Sequence, residues 1–285
     1  MGVASSQMSP VSYMNYQLHG VKGITAIKAL DSALSQEGEL GQAAIEALTQ
    51  KLQAIHQAVL AAKREYLIVS EESFAAPMAG YVNTSDEGVG EDEQDGFSLA
   101  PKRSDVKEAW LTSTQVNFCA KAYQTVDAAH SDAPALTVLG GFLRNGFLHR
   151  AIREQGGAYG GGASQDSAAA TFKFYSYRDP RLTETLDDFD ASIQWLKETE
   201  HGSESLEQAI LGVISSIDKP RSPSGEAKGD FHSDLFGRSR AHREGFRSKV
   251  LSVTIKDLLR VADEYLKPES ASFGLITQPA HKEEL

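Results

Sequence analysis

The chain has 285 residues, a formal net charge of −11 at pH 7 and a hydrophobic fraction of 41%. That hydrophobic fraction supports a buried core and excludes a wholly disordered chain, while the length allows one large or two small domains. The acidic balance without a basic cluster argues against nucleic acid as a partner. No apolar run is long enough to span a membrane, and the single cysteine, Cys119, excludes an internal disulfide.

The first part of the sequence predicts helices. A helix is expected over Val21–Leu34, and Gly38 and Gly41 mark a turn after it. The next helix has an amphipathic face, because apolar residues recur at steps of three and four. These residues are Leu48, Leu52, Ile55, Val59 and Ala62. We therefore expect residues 1–63 to be a helical segment and residues 64–285 to be a C-terminal α/β domain.

The sequence changes character where this second domain begins. Tyr66–Val69 is a short apolar run, which predicts a buried strand. Residues 83–106 are rich in acidic residues and glycine without an apolar period, so we predict a mobile, solvated acidic insert. Its carboxylates do not follow the spacing of an EF-hand loop, which argues against a calcium site there.

The remaining sequence predicts strands and helices in a mixed order. Alternating apolar residues predict strands over residues 116–123 and 168–177, and a helical pattern runs between them from about Ala133 to Ile152. Later elements are expected as helices over residues 182–196, 206–217 and 254–265, the last with a Thr254-x-x-Asp257 capping box, and as a closing strand at Ser272–Thr277. This order predicts an α+β fold, with an antiparallel or mixed sheet and helices packed on one face.

A glycine-rich stretch at Arg153–Gly162 follows the long helix, and three interpretations of it remain open. In the first it is a helix cap and a flexible turn, in which Gly156 and Gly157 take the left-handed conformation and Tyr159 packs. In the second it binds phosphate, although a phosphate loop follows a strand and opens a helix, the reverse of this order. In the third, the Arg153 guanidinium and the Tyr159 phenol donate together to a polarised carbonyl.

Two motifs in this region resemble a known family. RxQGGAYGG at 153–161, followed by SYRDPRLTETLDDFD at 176–190, is similar to the C-terminal half of the pitrilysin/insulinase family of zinc peptidases. Within that family the match is to the presequence-protease branch. QVNFCAKAY at 115–123 and AILGVISSIDKP at 209–220 extend the resemblance over most of the second half of the chain.

The resemblance implies roles for individual residues. In this family the matching Arg and Tyr reach across to the zinc-bearing half and hold the substrate or the transition state, so Arg153 and Tyr159 are the expected catalytic clamp. We expect Gly156, Gly157 and Gly160 to bind substrate, because glycine backbone can come close to another chain. The helical segment would close the preceding domain of the full protease.

The zinc motif of the family is missing from this sequence. An H-x-x-E-H helix supplies zinc ligands and a base, but none of the eight histidines forms it, and His201-Gly202-Ser203-Glu204 lacks the second histidine. We therefore expect no cofactor in this chain and zinc in a missing N-terminal half.

The expected function is the non-catalytic C-terminal half of a zinc metalloendopeptidase that degrades short unstructured peptides. The expected partners are the zinc-bearing half and the peptide, with no membrane or nucleic acid, in the cytoplasm or an organellar matrix. The alternative is a stand-alone peptide-binding or regulatory protein that keeps the fold without catalysis.

Overall fold

A computed structural model describes residues 2–62, 64–85 and 104–284. Most of the predicted acidic insert, residues 86–103, lies outside the described residues, so its mobility stays a prediction. The chain divides into two compact units. We call residues 1–23, 99–219 and 241–285 the sheet unit, and residues 24–98 and 220–240 the helical unit. The expected domain boundary between residues 63 and 64 also stays a prediction.

The helices and strands follow one another in a fixed order. The chain begins with α1 (Pro10–His19), α2 (Val21–Leu34), α3 (Glu39–Ala61) and α4 (Glu72–Ser85). Next come β1 (Lys107–Leu111), β2 (Asn117–Gln124), α5 (Ala133–Leu143), a π-helix (Arg144–Gln155), β3 (Gly160–Asp166) and β4 (Thr171–Asp179). The remaining elements are α6 (Thr183–Glu198), α7 (Ser203–Ile217), α8 (Pro223–Leu235), α9 (Arg240–Leu251), α10 (Ile255–Tyr265) and β5 (Ser272–Thr277), with 3-10 turns at Pro268–Ser270 and Pro279–Glu284. In the part of the chain that the structure describes, no helix combines the length and apolar character needed to cross a membrane.

Among the described residues, the sheet has five strands in the order β1-β5-β2-β4-β3. β1 and β5 are parallel, whereas the β5–β2, β2–β4 and β4–β3 pairs are antiparallel, so the sheet is mixed. The predicted α+β class, with a mixed sheet and packed helices, is confirmed. β3 lies at one edge, and its first residue, Gly160, is opposite Tyr177 of β4.

The core of the sheet unit lies between the sheet and its helices. Phe172 and Phe174 of β4 are fully buried, and the Phe174 ring stacks on Phe189 of α6 with 5.5 Å between centroids. Leu136 and Leu139 of α5 are also fully buried. Burial of each such side chain contributes roughly 1.5–3 kcal/mol. This packing anchors the helix that leads into the glycine-rich stretch.

The N-terminal residues cover the other face of the sheet. Ala4 and Met8 are buried together with Ala120 and Ala122 of β2. A Cβ on Gly274 of β5 would lie 2.7 Å from the backbone nitrogen of Ala4, so glycine is needed for this close approach. β2 is therefore buried on both faces, which is why its burial does not follow the alternation of its sequence.

Most predicted elements of the sheet unit are confirmed, including β2, β4, α6, α7, the capping box of α10 and β5. The strand predicted at Tyr66–Val69 is wrong, because these residues have no regular structure and their side chains are exposed. A short apolar run becomes a strand only where a neighbouring strand completes its hydrogen bonds. The helices α2 and α3 are confirmed, but Leu52, Ile55 and Val59 of the predicted apolar face are exposed.

Candidate functional site

The segment that carries Arg153 is a π-helix, Arg144–Gln155, which continues directly from α5. The sequence predicts an ordinary helix as far as Ile152, so the type of helix differs from the prediction. The backbone N–H of Gly156 donates to the carbonyl of Ala151 at 2.9 Å. This bond joins residues five apart, which is the spacing of a π-helix. π-helices are rare and often lie at functional sites.

Glycine occupies positions 156 and 157, directly after this helix, for two different reasons. Gly157 has a φ of +78°, in the left-handed region that favours glycine, as predicted. Gly156 has a φ of −80°, which any residue can adopt, so the left-handed cap predicted there is wrong. A Cβ on Gly156 would instead collide with the guanidinium of Arg181. Glycine at this position makes room for a neighbouring side chain.

Arg181 ties the end of the π-helix to the elements beside it. Its Nη2 donates to the carbonyl of Ala151 at 3.3 Å and to Oδ2 of Asp188 on α6 at 2.8 Å. Its backbone N–H donates to Oδ1 of Asp179 at 3.0 Å, and its carbonyl accepts from Nδ2 of Asn117 at 3.1 Å. The turn after Arg153 therefore rests on a fixed guanidinium.

Tyr159 lies just before β3 and faces solvent. The residue is 63% exposed, and its backbone N–H donates to the carbonyl of Arg178 at 3.2 Å. The Tyr159 and Tyr177 rings are 5.7 Å apart, and the Arg178 guanidinium lies over the Tyr159 ring, 5.4 Å from its centroid. A Cβ on Gly160 would lie 2.5 Å from the Tyr177 phenol oxygen. Gly160 therefore provides the space for Tyr177 beside Tyr159.

Arg153 is exposed on the last turn of the π-helix. Its carbonyl accepts from the backbone N–H of Gly157 at 3.2 Å. The adjacent Glu154 is within 3.3 Å of Nδ1 of His149, on the same helix. Among the described residues no carboxylate pairs with the Arg153 guanidinium. A cation without an anionic partner in the described chain thus precedes the turn, and an exposed phenol follows it.

The geometry separates the three interpretations of the glycine-rich stretch. The turn follows a helix and opens a strand, which is the reverse of a phosphate-binding loop. Tyr159 is not a packing residue of the core, since most of its ring is exposed. Tyr177 and Arg178, which the sequence did not single out, join Tyr159 through the pairing of β3 and β4. The SYRDP motif was the signal that could have identified them.

The partial zinc motif does not form a metal site. Nε2 of His201 lies 3.0 Å from the carbonyl oxygen of Leu196. The His201 ring packs edge-on against the rings of Trp195 and Phe142, with 4.5 and 5.1 Å between ring centroids. Across the described ranges, no group of three or more His, Cys, Asp or Glu side chains is placed to hold a metal ion. The residues that the structure describes therefore do not fit zinc.

Cys119 is not a candidate nucleophile. It is buried in the core on β2, and this burial raises the pKa of the thiol to about 12. The thiolate is the reactive form of cysteine, and it is scarce at neutral pH when the pKa is so high. Cys119 is therefore not poised to act as a nucleophile.

The fold is that of pitrilysin-type peptidase domains. Pitrilysin matches with a TM-score of 0.65 and 14% identity, over 96% of this chain and 29% of that one. A structure described as the peptidase M16 inactive domain from Pseudomonas fluorescens matches with a TM-score of 0.54 and 14% identity, over 73% of this chain and 51% of that one.

The family model described as the PreP C-terminal domain matches residues 107–276, and the chain belongs to this family. The mitochondrial presequence protease of Yarrowia lipolytica is 30% identical over 92% of this chain and 26% of its own length. That of Drosophila melanogaster is 40% identical over 59% of this chain and 16% of its own. The chain thus spans about a quarter or less of the length of these curated relatives, and the matched family model is that of the C-terminal domain.

Proposed function

We propose that this chain is the non-catalytic C-terminal half of a zinc metalloendopeptidase that degrades short unstructured peptides. It supplies one wall of an enclosed chamber in which the peptide is degraded, and a clamp made of Arg153 and Tyr159. The observation that carries the proposal is the pair of exposed donors on either side of one braced turn.

The chemistry of the two donors suits a peptide carbonyl. A guanidinium offers a planar fork of N–H donors, and a phenol offers one O–H donor. Donors that are already in place where negative charge grows on an oxygen lower the barrier without reorganisation. Gly157 in its left-handed conformation and Gly156 against Arg181 shape the turn between these two residues. Gly156, Gly157 and Gly160 act in this proposal by shaping the turn, and their backbone borders the substrate.

The proposal assigns metal chemistry to another part of the enzyme. The described residues do not fit zinc, so the zinc ligands and the acid–base residue belong to the N-terminal half of the peptidase. The N-terminal half and an unstructured peptide are the proposed partners of this chain. The Pseudomonas fluorescens neighbour is described as an inactive M16 domain, which supports a half without catalysis. The mitochondrial names of the relatives favour an organellar matrix as the compartment.

The test is reconstitution with the remainder of a presequence protease, which includes the zinc-bearing N-terminal half. We expect neither part alone to cleave a fluorogenic unstructured peptide, and the mixture to cleave it with a rate that saturates as this chain is added. A mixture with Tyr13→Phe, which changes a tyrosine of α1, serves as the matched control and keeps the rate. If the chain binds the peptide but never restores cleavage, it is a stand-alone binding protein.

A further inference from the structure

The end of β4 contains an unusual backbone conformation. Arg178 has a φ of +50°, and within the described residues only Ala170 is another non-glycine residue with positive φ. A residue other than glycine adopts this region at a cost in strain, and such strain is often found at ligand clamps. Asp179, the next residue, is fully buried and accepts from the Thr185 hydroxyl at 2.8 Å. The buried Asp179 therefore holds the strained position from one side.

The strained backbone places the Arg178 guanidinium beside Tyr159. The carbonyl of Arg178 accepts from the backbone N–H of Tyr159 at 3.2 Å, which joins the two residues across the β3–β4 pair. The guanidinium lies over the Tyr159 ring, 5.4 Å from the ring centroid, within the range of a cation–π contact. A cation–π contact leaves the N–H groups of a guanidinium available as donors.

Arg178 is exposed and lacks an anionic partner among the described residues. Arg181, on the same segment, pairs with Asp188 at 2.8 Å. Arg153, before the turn, also lacks a carboxylate partner among the described residues. Two free guanidinium groups thus accompany one exposed phenol, in a chain whose net charge is −11. A guanidinium without an anionic partner in the chain suits an anionic group of a ligand.

We propose that Arg178 is a third residue of the clamp and binds a carboxylate of the peptide substrate. The inference rests on the proposed function, because it needs the peptide at Arg153 and Tyr159. A carboxylate is favoured over a second carbonyl because its two oxygens match the guanidinium fork. The carboxylate comes from an acidic side chain near the scissile bond or from the C-terminus of a short peptide. Arg178 then sets a preference among peptides, while Arg153 and Tyr159 act on the carbonyl.

The experiment compares peptide pairs in the reconstituted enzyme. One set has Asp or Asn at each position flanking the scissile bond, and a second set has a free or an amidated C-terminus. Arg178→Asn removes the guanidinium, and asparagine tolerates the left-handed backbone. We expect this variant to lower kcat/KM for the carboxylate-bearing peptide about tenfold and to leave its neutral partner nearly unchanged. The set in which the loss appears identifies the source of the carboxylate.

Two further variants and one control complete the test. Arg178→Lys keeps the charge without the fork, so an intermediate loss is expected. Arg178→Gly relieves the strained backbone and serves if Arg178→Asn does not fold. Lys267→Asn removes an exposed positive charge after α10 and should not change the preference. Equal losses on charged and neutral peptides, or no loss on either, would overturn the inference.

The same cleavage assays distinguish a failure of this inference from a failure of the proposed function. If Tyr159→Phe and Arg153→Lys cleave at the wild-type rate, the clamp itself is wrong. If those two variants are impaired while Arg178→Asn cleaves both peptides of every pair with the wild-type kcat/KM, only the proposed role of Arg178 is contradicted.

Discussion

Two groups of arginine and tyrosine side chains in the sheet unit differ in whether the described chain supplies a carboxylate to them. In the first, Asp132 at the start of α5 accepts two bonds from Arg260, at 2.7 and 3.1 Å, and one from the Tyr265 phenol at 2.8 Å. We call this the closed cluster. In the second, Arg153, Tyr159 and Arg178 present the same donors without a carboxylate among the described residues. We call this the open cluster.

The difference shows that the same residue types are paired within the chain in one place and left without a carboxylate partner in the other. The closed cluster uses its donors within the chain, and it ties α10 to the start of α5. Burial and the bond to Asp132 raise the pKa of Tyr265 to about 12, so the phenol stays a donor. The open cluster has the donors of a closed one, and in our proposal its acceptor comes from another molecule. Composition alone does not distinguish the two, whereas the presence of Asp132 does.

The largest expected effect is on turnover when the phenol of the open cluster is removed. Tyr159→Phe in the reconstituted enzyme should lower turnover by about a hundredfold, since one such donor is worth about 3 kcal/mol. Its melting temperature should remain that of the wild type, because the ring is exposed. Arg153→Lys should also be costly, since an ammonium cannot reproduce the planar fork.

Tyr265→Phe is the matched change in the closed cluster, and it should give the opposite result. It removes a hydrogen bond to Asp132, so melting temperature should fall while turnover remains. Steady-state kinetics and thermal melts of the Tyr159 and Tyr265 variants together check the assignment. Wild-type turnover in Tyr159→Phe would remove the phenol from the mechanism.

The next largest effect is on stability when the acceptor of the closed cluster is lost. Asp132→Asn should lower the free energy of unfolding by about 2 kcal/mol, because charged hydrogen bonds contribute about 1.5–3 kcal/mol. Chemical denaturation of the chain measures this loss. Peptide cleavage by the folded variant should be unchanged, and a comparable loss of cleavage would contradict the separation of the two clusters.

A smaller effect is expected from pH on the same contact. The hydrogen bond from Arg260 holds the pKa of Asp132 below its usual range, against the opposing effect of burial. A lowered carboxyl pKa stabilises the fold fully above the ordinary value of about 4, and this contribution is lost as pH falls through the lowered pKa. The stability difference between wild type and Asp132→Asn should therefore narrow below about pH 4. A difference that stays constant into stronger acid would show that the ion pair is not its source.

The smallest expected effect is that of zinc on the chain alone. Neither cluster gathers three metal ligands, and the described residues contain no such group. We expect metal analysis after dialysis against zinc to find less than stoichiometric zinc, and the melting temperature to be unchanged by added zinc. One tightly held zinc per chain would contradict this prediction.

The sequence was sufficient for elements that carry their own pattern. The apolar spacing of α6 and the capping box of α10 are local, and both appear where predicted. β3 was missed because Gly160–Gly162 has no apolar alternation, and it is a strand because β4 completes its hydrogen bonds. The strand predicted at Tyr66–Val69 fails for the converse reason, since none of the described strands pairs with it.

The open cluster was predictable only in part. Arg153 and Tyr159 belong to a recognisable motif, and both are exposed on one turn. Arg178 is distant in sequence from Tyr159, and only the register of β3 against β4 brings them together. Its positive φ has no local signal, because arginine does not favour that conformation. The need for glycine at position 156 could not be predicted either, because it arises from the Arg181 guanidinium, which occupies the space of a Cβ there.

The place of β5 in the sheet has a consequence for how this domain is made. β5 is the last of the described strands in sequence, but it lies between β1 and β2 and pairs with both. During synthesis, β1 and β2 emerge long before the strand that joins them, and closing such a long loop delays their pairing. Until residues 272–277 leave the ribosome, one edge of β2 has no neighbour and β1 has no place in the sheet. The nascent domain therefore depends on this late strand to cover an edge that would otherwise invite aggregation.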